Sequence, residues 1–266
     1  MALQPTRANG SSPPLEDLLL VIRCLDLTLL EETATPEQVE RLCDRAVRPA
    51  SADHSVPHVA AVVVYPAHVP LAARRLEGTG VLVATVTGDF PTGVASVSRR
   101  VAEIERVDSG ADEIDTVMDR SAFVAGEEQR VREEISASRK ACGPDVTLKV
   151  ILETSELGSP DLIRRASLLA MSAGADFVKT STGKIGDGAS PAAVRTIAEA
   201  ASEFLAETGR LVGVKVAGGV RRAGQAIEYM DVVRRTLGQR WMSPERFRVG
   251  ASMLLDDVLA RIAARG

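Results

Sequence analysis

Short runs of β-branched and aliphatic residues, separated by longer amphipathic stretches, constrain this chain more than any other feature of it. The runs are RCLDLT (23–28), VAAVVVY (59–65), GVLVATV (80–86), DEIDTV (112–117), VTLKVIL (146–152), DFVKT (176–180), LVGVKVA (211–217) and FRVGA (247–251). Between them lie helical patterns with recognisable starts: Thr35, Ser159 and Ser190 each precede a proline and an apolar periodic stretch, as N-caps do. Regular alternation of strand and helix is the pattern of repeated βα units, and eight such strands predict a closed (β/α)₈ barrel rather than an open doubly wound sheet. GAD opens a strand at 110–112 and again at 174–176, an internal echo about two βα units long. No linker interrupts residues 14–266, which are read as one α/β domain; the polar opening MALQPTRANGSSPP predicts a disordered tail over residues 1–13.

A chain of 266 residues suits such a barrel, which takes about 250. Aromatic residues make up only 3 %, so Val, Leu, Ile and Ala must build the core, as in parallel strands covered on both faces. The net charge of −4 gives no reason to expect nucleic acid or an anionic membrane as partner, and no apolar run approaches the roughly 20 residues that span a bilayer. Cys24, Cys43 and Cys142 lack CxxC spacing and fit reduced thiols in a cytoplasmic protein. Pro57 separates His54 from His58 and spoils a helical metal pair, so no metal site is expected.

In a barrel of this kind chemistry sits at the C-terminal ends of the strands. Alternation places Phe177 and Lys179 on one side of their strand, and Lys215 on one side with Gly213, whose missing side chain would leave room inside. A lone lysine at a strand end ordinarily snorkels to solvent. Two on successive strands, both followed by glycine-bearing loops, favour the other reading: inward ammonium groups that disfavour each other's charge while burial disfavours both, so that one presents a free amine near neutral pH. Asp115 shares the inward parity and is the expected carboxylate partner. Asp26 sits similarly on the first strand, as an ion-pair anchor or a direct catalytic part, and Lys149, midway along its strand, is expected to support by ion pairing. STGK (181–184), AGGVR (217–221) and GAS (250–252) are small-residue loops suited to an oxyanion, and together they indicate a phosphorylated substrate. STGK lacks the upstream glycine of a nucleotide P-loop.

These residues, with VVVYP, ATVTGDFPTG, GADEID, LKVILETSEL, ADFVKTSTGK, KVAGGVR and GASMLL, resemble the deoxyribose-phosphate aldolases over nearly all of the folded chain. These are class I aldolases with a (β/α)₈ barrel. The resemblance implies a Schiff base on Lys179, a pKa-lowering role for Lys215 and a proton-relay role for Asp115. It implies a phosphate site at Gly183, Lys184, Gly218, Gly219, Gly250 and Ser252, and reversible cleavage of 2-deoxy-D-ribose 5-phosphate to D-glyceraldehyde 3-phosphate and acetaldehyde without metal or organic cofactor. Pairing into a homodimer through outer helices is compatible with such a barrel. The chain departs from the family pattern at Val63, where cysteine is common, at Val216, where proline is common, and at Met253, where a second serine is usual; it also ends without the family's terminal tyrosine. A lyase acting on another phosphorylated sugar, and a sugar-phosphate-binding protein that has lost turnover, are the alternatives.

Overall fold

In the computed structural model, which describes residues 13–51, 53–107 and 110–265, the alternating pattern closes into a parallel barrel whose strands follow one another in sequence order. The strands are β1 Leu25–Leu29, β2 Ala61–Val64, β3 Leu82–Thr87, β4 Glu113–Val117, β5 Thr147–Ile151, β6 Phe177–Lys179, β7 Gly213–Ala217 and β8 Phe247–Ala251. Around them run the helices α1 Leu15–Arg23, α2 Pro36–Val47, α3 Val69–Leu76, α4 Val97–Glu105, α5 Arg120–Val124, α6 Glu128–Cys142, α7 Thr154–Leu157, α8 Pro160–Ser172, α9 Pro191–Thr208, α10 Ala223–Leu237 and α11 Leu254–Ala263. The expected tail, apart from residue 13, lies outside the described residues. Among the described residues no helix is long and apolar enough to cross a membrane.

The three expected N-caps form as side-chain bonds. Thr35, Ser159 and Ser190 accept the backbone N–H groups of Gln38, Leu162 and Ala193, and the proline after each occupies a helical position that needs no donor. Gln38 returns the bond to the Thr35 N–H at 2.8 Å, completing a capping box. Helix α1, ahead of the first strand, was not anticipated; Leu18, Val21 and Ile22 recur at helical spacing and are its buried stripe.

Two apolar zones result. The larger fills the space between strands and helices and includes Trp241, fully buried with its indole N–H on the Val212 carbonyl at 3.1 Å. The smaller lies inside the barrel on the β2–β3 side, where Ala61, Val63, Ala84 and Val86 pack with Leu30 beside Tyr65 and Phe90. The remaining interior, from β4 round to β1, is charged, and this asymmetry sets up the site.

All three cysteines are buried. Burial pushes the Cys24 thiol up to about 12 and the Cys43 thiol up to about 11, leaving almost no thiolate near neutral pH. Iodoacetamide at about pH 7.5 is therefore expected to leave the native protein unlabelled and to alkylate the thiols only after unfolding; rapid native labelling detected by intact mass would contradict this.

Candidate active site

Parallel register turns the inward parity of each strand into a layer of facing groups. Asp115 stands opposite Lys149 across β4–β5, Lys149 opposite Phe177 across β5–β6, Lys179 opposite Lys215 across β6–β7, and Lys215 opposite Arg248 across β7–β8. One oxygen of Asp115 accepts hydrogen bonds from the amines of both Lys179 and Lys215, each at 2.7 Å. Its other oxygen lies 3.5 Å from Lys149, which also pairs with Glu113. Lys215 pairs in addition with Asp26, Asp26 with Arg248, and Arg248 with Glu113 at 2.7 Å. The network thus runs from the barrel mouth toward its base, and its groups are buried or nearly so.

Charge this deep is tolerable only when paired. The four cationic side chains Lys149, Lys179, Lys215 and Arg248 share three carboxylates, Asp26, Glu113 and Asp115, so one positive charge is in surplus. The surplus falls on Lys179. Burial, aided by the neighbouring Lys215 ammonium, pushes its amine down to about 8 against the pull of Asp115. Lys215 moves the other way: burial would lower it, but the carboxylates of Asp115 and Asp26 outweigh burial and hold it as ammonium. The sequence argument expected each lysine to lower the other; the structure places the depression on Lys179 alone, because Lys215 touches two carboxylates and Lys179 one. Burial opposes ionisation of Asp115 and Asp26 too, yet the surrounding lysines, with Arg248 at Asp26, keep both carboxyls far below the usual carboxylate range.

The room expected beside Gly213 is also absent. A side chain there would begin 2.3 Å from the Phe177 ring, which fills that space. The ring is flanked by Lys149 and Arg248, 5.7 and 5.8 Å from its centroid, an arrangement that favours cations near an aromatic π-system.

Above this layer a cavity of about 230 Å³ opens, and Lys179 is the interior lysine that lines it. The six residues expected around a phosphate, Gly183, Lys184, Gly218, Gly219, Gly250 and Ser252, line the same cavity. Its loops are laced together where only glycine fits: Gly218 has φ +91°, and a Cβ there would lie 2.8 Å from the Cα of Gly188. The Ala189 N–H then bonds the Gly218 carbonyl at 3.2 Å, joining the loop after β6 to the loop after β7. Helix α11 starts just beyond Ser252 and Met253, so its N-terminal end meets the cavity. The Lys184 ammonium is tied to the Leu30 carbonyl at the end of β1.

Comparison with known proteins identifies a family for the chain. The model of the DeoC/LacD family of aldolases matches residues 20–257. The chain belongs to that family. Deoxyribose-phosphate aldolase of Bos taurus is 40 % identical over 256 residues, covering 92 % of this chain and 80 % of the bovine one. The Homo sapiens protein of the same name is 39 % identical over the same shares. The tetrameric structure of deoxyribose phosphate aldolase from Aeropyrum pernix superposes with a TM-score of 0.72 at 27 % identity, over 96 % of this chain and 100 % of the other.

Of the three positions that the resemblance marks as departures, Val63 faces the cavity, Met253 stands 58 % exposed at its rim, and Val216 packs in the shell outside the barrel, facing away from the Lys215 amine. Sequence reasoning did not single out Glu113, Arg248, Arg221 or Glu153. Glu113 shares the parity of Asp115 and could have been found by it. Arg248 shares the parity of Gly250 in FRVGA, while Arg221, another cavity-lining residue, closes the AGGVR string.

Proposed function

We propose that this chain cleaves 2-deoxy-D-ribose 5-phosphate reversibly to D-glyceraldehyde 3-phosphate and acetaldehyde through a Schiff base on Lys179. One observation carries the reading: a lysine whose amine is pushed down to about 8 opens into the cavity walled by the glycine loops and Lys184. Relative to an ordinary lysine, that displacement enlarges the free-amine fraction near pH 7 by roughly 300-fold.

The free amine attacks the aldehyde carbon C1 of the open-chain sugar, and the carbonyl oxygen leaves as water, giving an iminium. Loss of the proton from the C3 hydroxyl then breaks the C2–C3 bond. Its electron pair moves into the iminium, which becomes an enamine, and glyceraldehyde 3-phosphate departs as the aldehyde. Protonation of the enamine at C2 and hydrolysis release acetaldehyde and restore the amine. Lys215, kept as ammonium, is the group suited to donate a proton to the departing oxygen. Asp115 remains a carboxylate between the two lysines, aiming both amines and relaying protons through water. Asp26, Lys149, Arg248 and Glu113 hold that arrangement from below. The phosphate is received by the loops at 183–184, 218–219 and 250–252, with the start of α11 and the cations of Lys184 and Arg221 supplying positive potential. The apolar half of the interior, Val63 and Val86 among it, offers the two-carbon fragment a dry wall. Buried thiols suit a cytoplasmic setting, and the outer helices offer a surface for a homodimer.

The test is release of glyceraldehyde 3-phosphate from deoxyribose 5-phosphate, followed from about pH 6 to about pH 9. Below the amine's pKa Lys179 is an inert ammonium, so kcat/KM is expected to rise with pH and level off above about 8. Faster turnover of another sugar phosphate would favour the related lyase, and binding without turnover the inactive binding protein.

A further inference from the structure

We propose that Glu153, outside the cavity, is a positioning residue for the phosphate-facing loop after β6, and through it for the preference of the site for a phosphorylated over a free sugar. The inference rests on the proposed aldolase reading. Glu153 follows β5 directly and has φ +54° and ψ +65°, a left-handed conformation that among the described non-glycine residues recurs only as the positive φ of Asp89. Its side chain is fully buried. A strained acidic residue without access to water is retained only where its surroundings fix it, and such outliers cluster at functional sites.

What fixes it is Thr182. One oxygen of the Glu153 carboxylate accepts the Thr182 backbone N–H at 3.0 Å and also the Thr182 hydroxyl. That hydroxyl, its proton committed to Glu153, accepts the backbone N–H of Lys184 at 3.1 Å. The relay therefore has one direction, from the Lys184 amide through Thr182 to the carboxylate, and encloses Gly183, whose φ is +76°. On either side of Glu153 the main chain is pinned to the end of β6: the Leu152 N–H meets the Lys179 carbonyl at 3.0 Å and the Thr154 N–H meets the Thr180 carbonyl at 2.9 Å. Thr182, Gly183 and Lys184 line the cavity, whereas Glu153 does not. The carboxylate acts at a distance, by setting where the Gly183 and Lys184 amides stand relative to the reacting lysine a few residues earlier. The second carboxylate oxygen is buried without a hydrogen-bond partner, so an amide oxygen in the bonded position would serve the same relay and the amide nitrogen would take the unpartnered place.

Steady-state kinetics of Glu153→Ala and Glu153→Gln with deoxyribose 5-phosphate and unphosphorylated 2-deoxyribose test this, alongside calorimetric binding of inorganic phosphate. The alanine variant is expected to raise KM for the phosphorylated sugar and Kd for phosphate by about ten- to a hundredfold, with kcat and the free-sugar KM little changed. The glutamine variant should stay near wild type. A purely structural role would lower activity on both sugars alike, and that result, or no change in phosphate Kd, would overturn the inference. Should Glu153→Ala fail to fold, Glu153→Asp decides: it keeps the carboxylate outside the cavity but shortens its reach to Thr182, and it must weaken phosphate binding selectively. Failure of the wild type to cleave deoxyribose 5-phosphate would count against the aldolase reading, while the phosphate Kd would still judge Glu153.

Discussion

Lys179→Met is expected to lower kcat for deoxyribose 5-phosphate cleavage by at least about 10⁵-fold while leaving the protein folded. Methionine retains the unbranched stem in its buried slot but has no amine, so no covalent intermediate can form. Stability should survive because the removed group is the surplus cation of the interior: Asp115 keeps its hydrogen bond from Lys215 at 2.7 Å, and Lys149 remains 3.5 Å from its other oxygen. A charge whose burial depresses its own pKa is a net cost to the fold, so the melting temperature should hold or rise. Circular dichroism beside the activity assay separates lost chemistry from lost structure. Turnover within about tenfold of wild type would remove Lys179 from the mechanism.

Lys215→Met is the second large effect, with a different signature. Without Lys215 the interior holds Lys149, Lys179 and Arg248 against Asp26, Glu113 and Asp115, an even balance in which Lys179 is no longer surplus. Removal of a neighbouring ammonium raises the Lys179 pKa, since like charge was one of the causes lowering it. Each unit of rise cuts the free amine near pH 7 about tenfold, and loss of the positioned acid costs about 10²-fold more. Activity near pH 7 should fall by about 10³-fold or more, and the acid limb of the kcat/KM profile should move above pH 8. A limb left near 8 with reduced amplitude would mean that Lys215 serves only as an acid.

Some of this account was legible in the residues and some was not, for physical reasons that differ. Strand existence followed from β-branched runs, and the shared parity of Asp115 and Val117, or of Phe177 and Lys179, was enough to point side chains inward. The size and sign of each lysine's shift were not available to such reasoning. They depend on which carboxylates arrive from distant strands: Asp26 comes from the first strand to Lys215 on the seventh, and Arg248 from the eighth closes the circuit through Asp26 and Glu113. Nor could the sequence say that Phe177 fills the gap beside Gly213, because two side chains of one parity on neighbouring strands compete for the same volume only once the register is fixed. Glu153 was hidden more thoroughly, since an acidic residue after a strand reads as solvated loop and its left-handed backbone leaves no mark in composition.

The most direct measurement of the central claim is borohydride reduction of the protein in the presence of acetaldehyde, followed by intact mass and peptide mapping, with Lys179→Met in parallel. Reduction of the imine should leave a stable ethyl group on the peptide carrying Lys179 and none there in the variant. Absence of the adduct in the wild type, under conditions that label another Schiff-base aldolase, or its appearance on Lys215 instead, would contradict the assignment of Lys179 as the nucleophile.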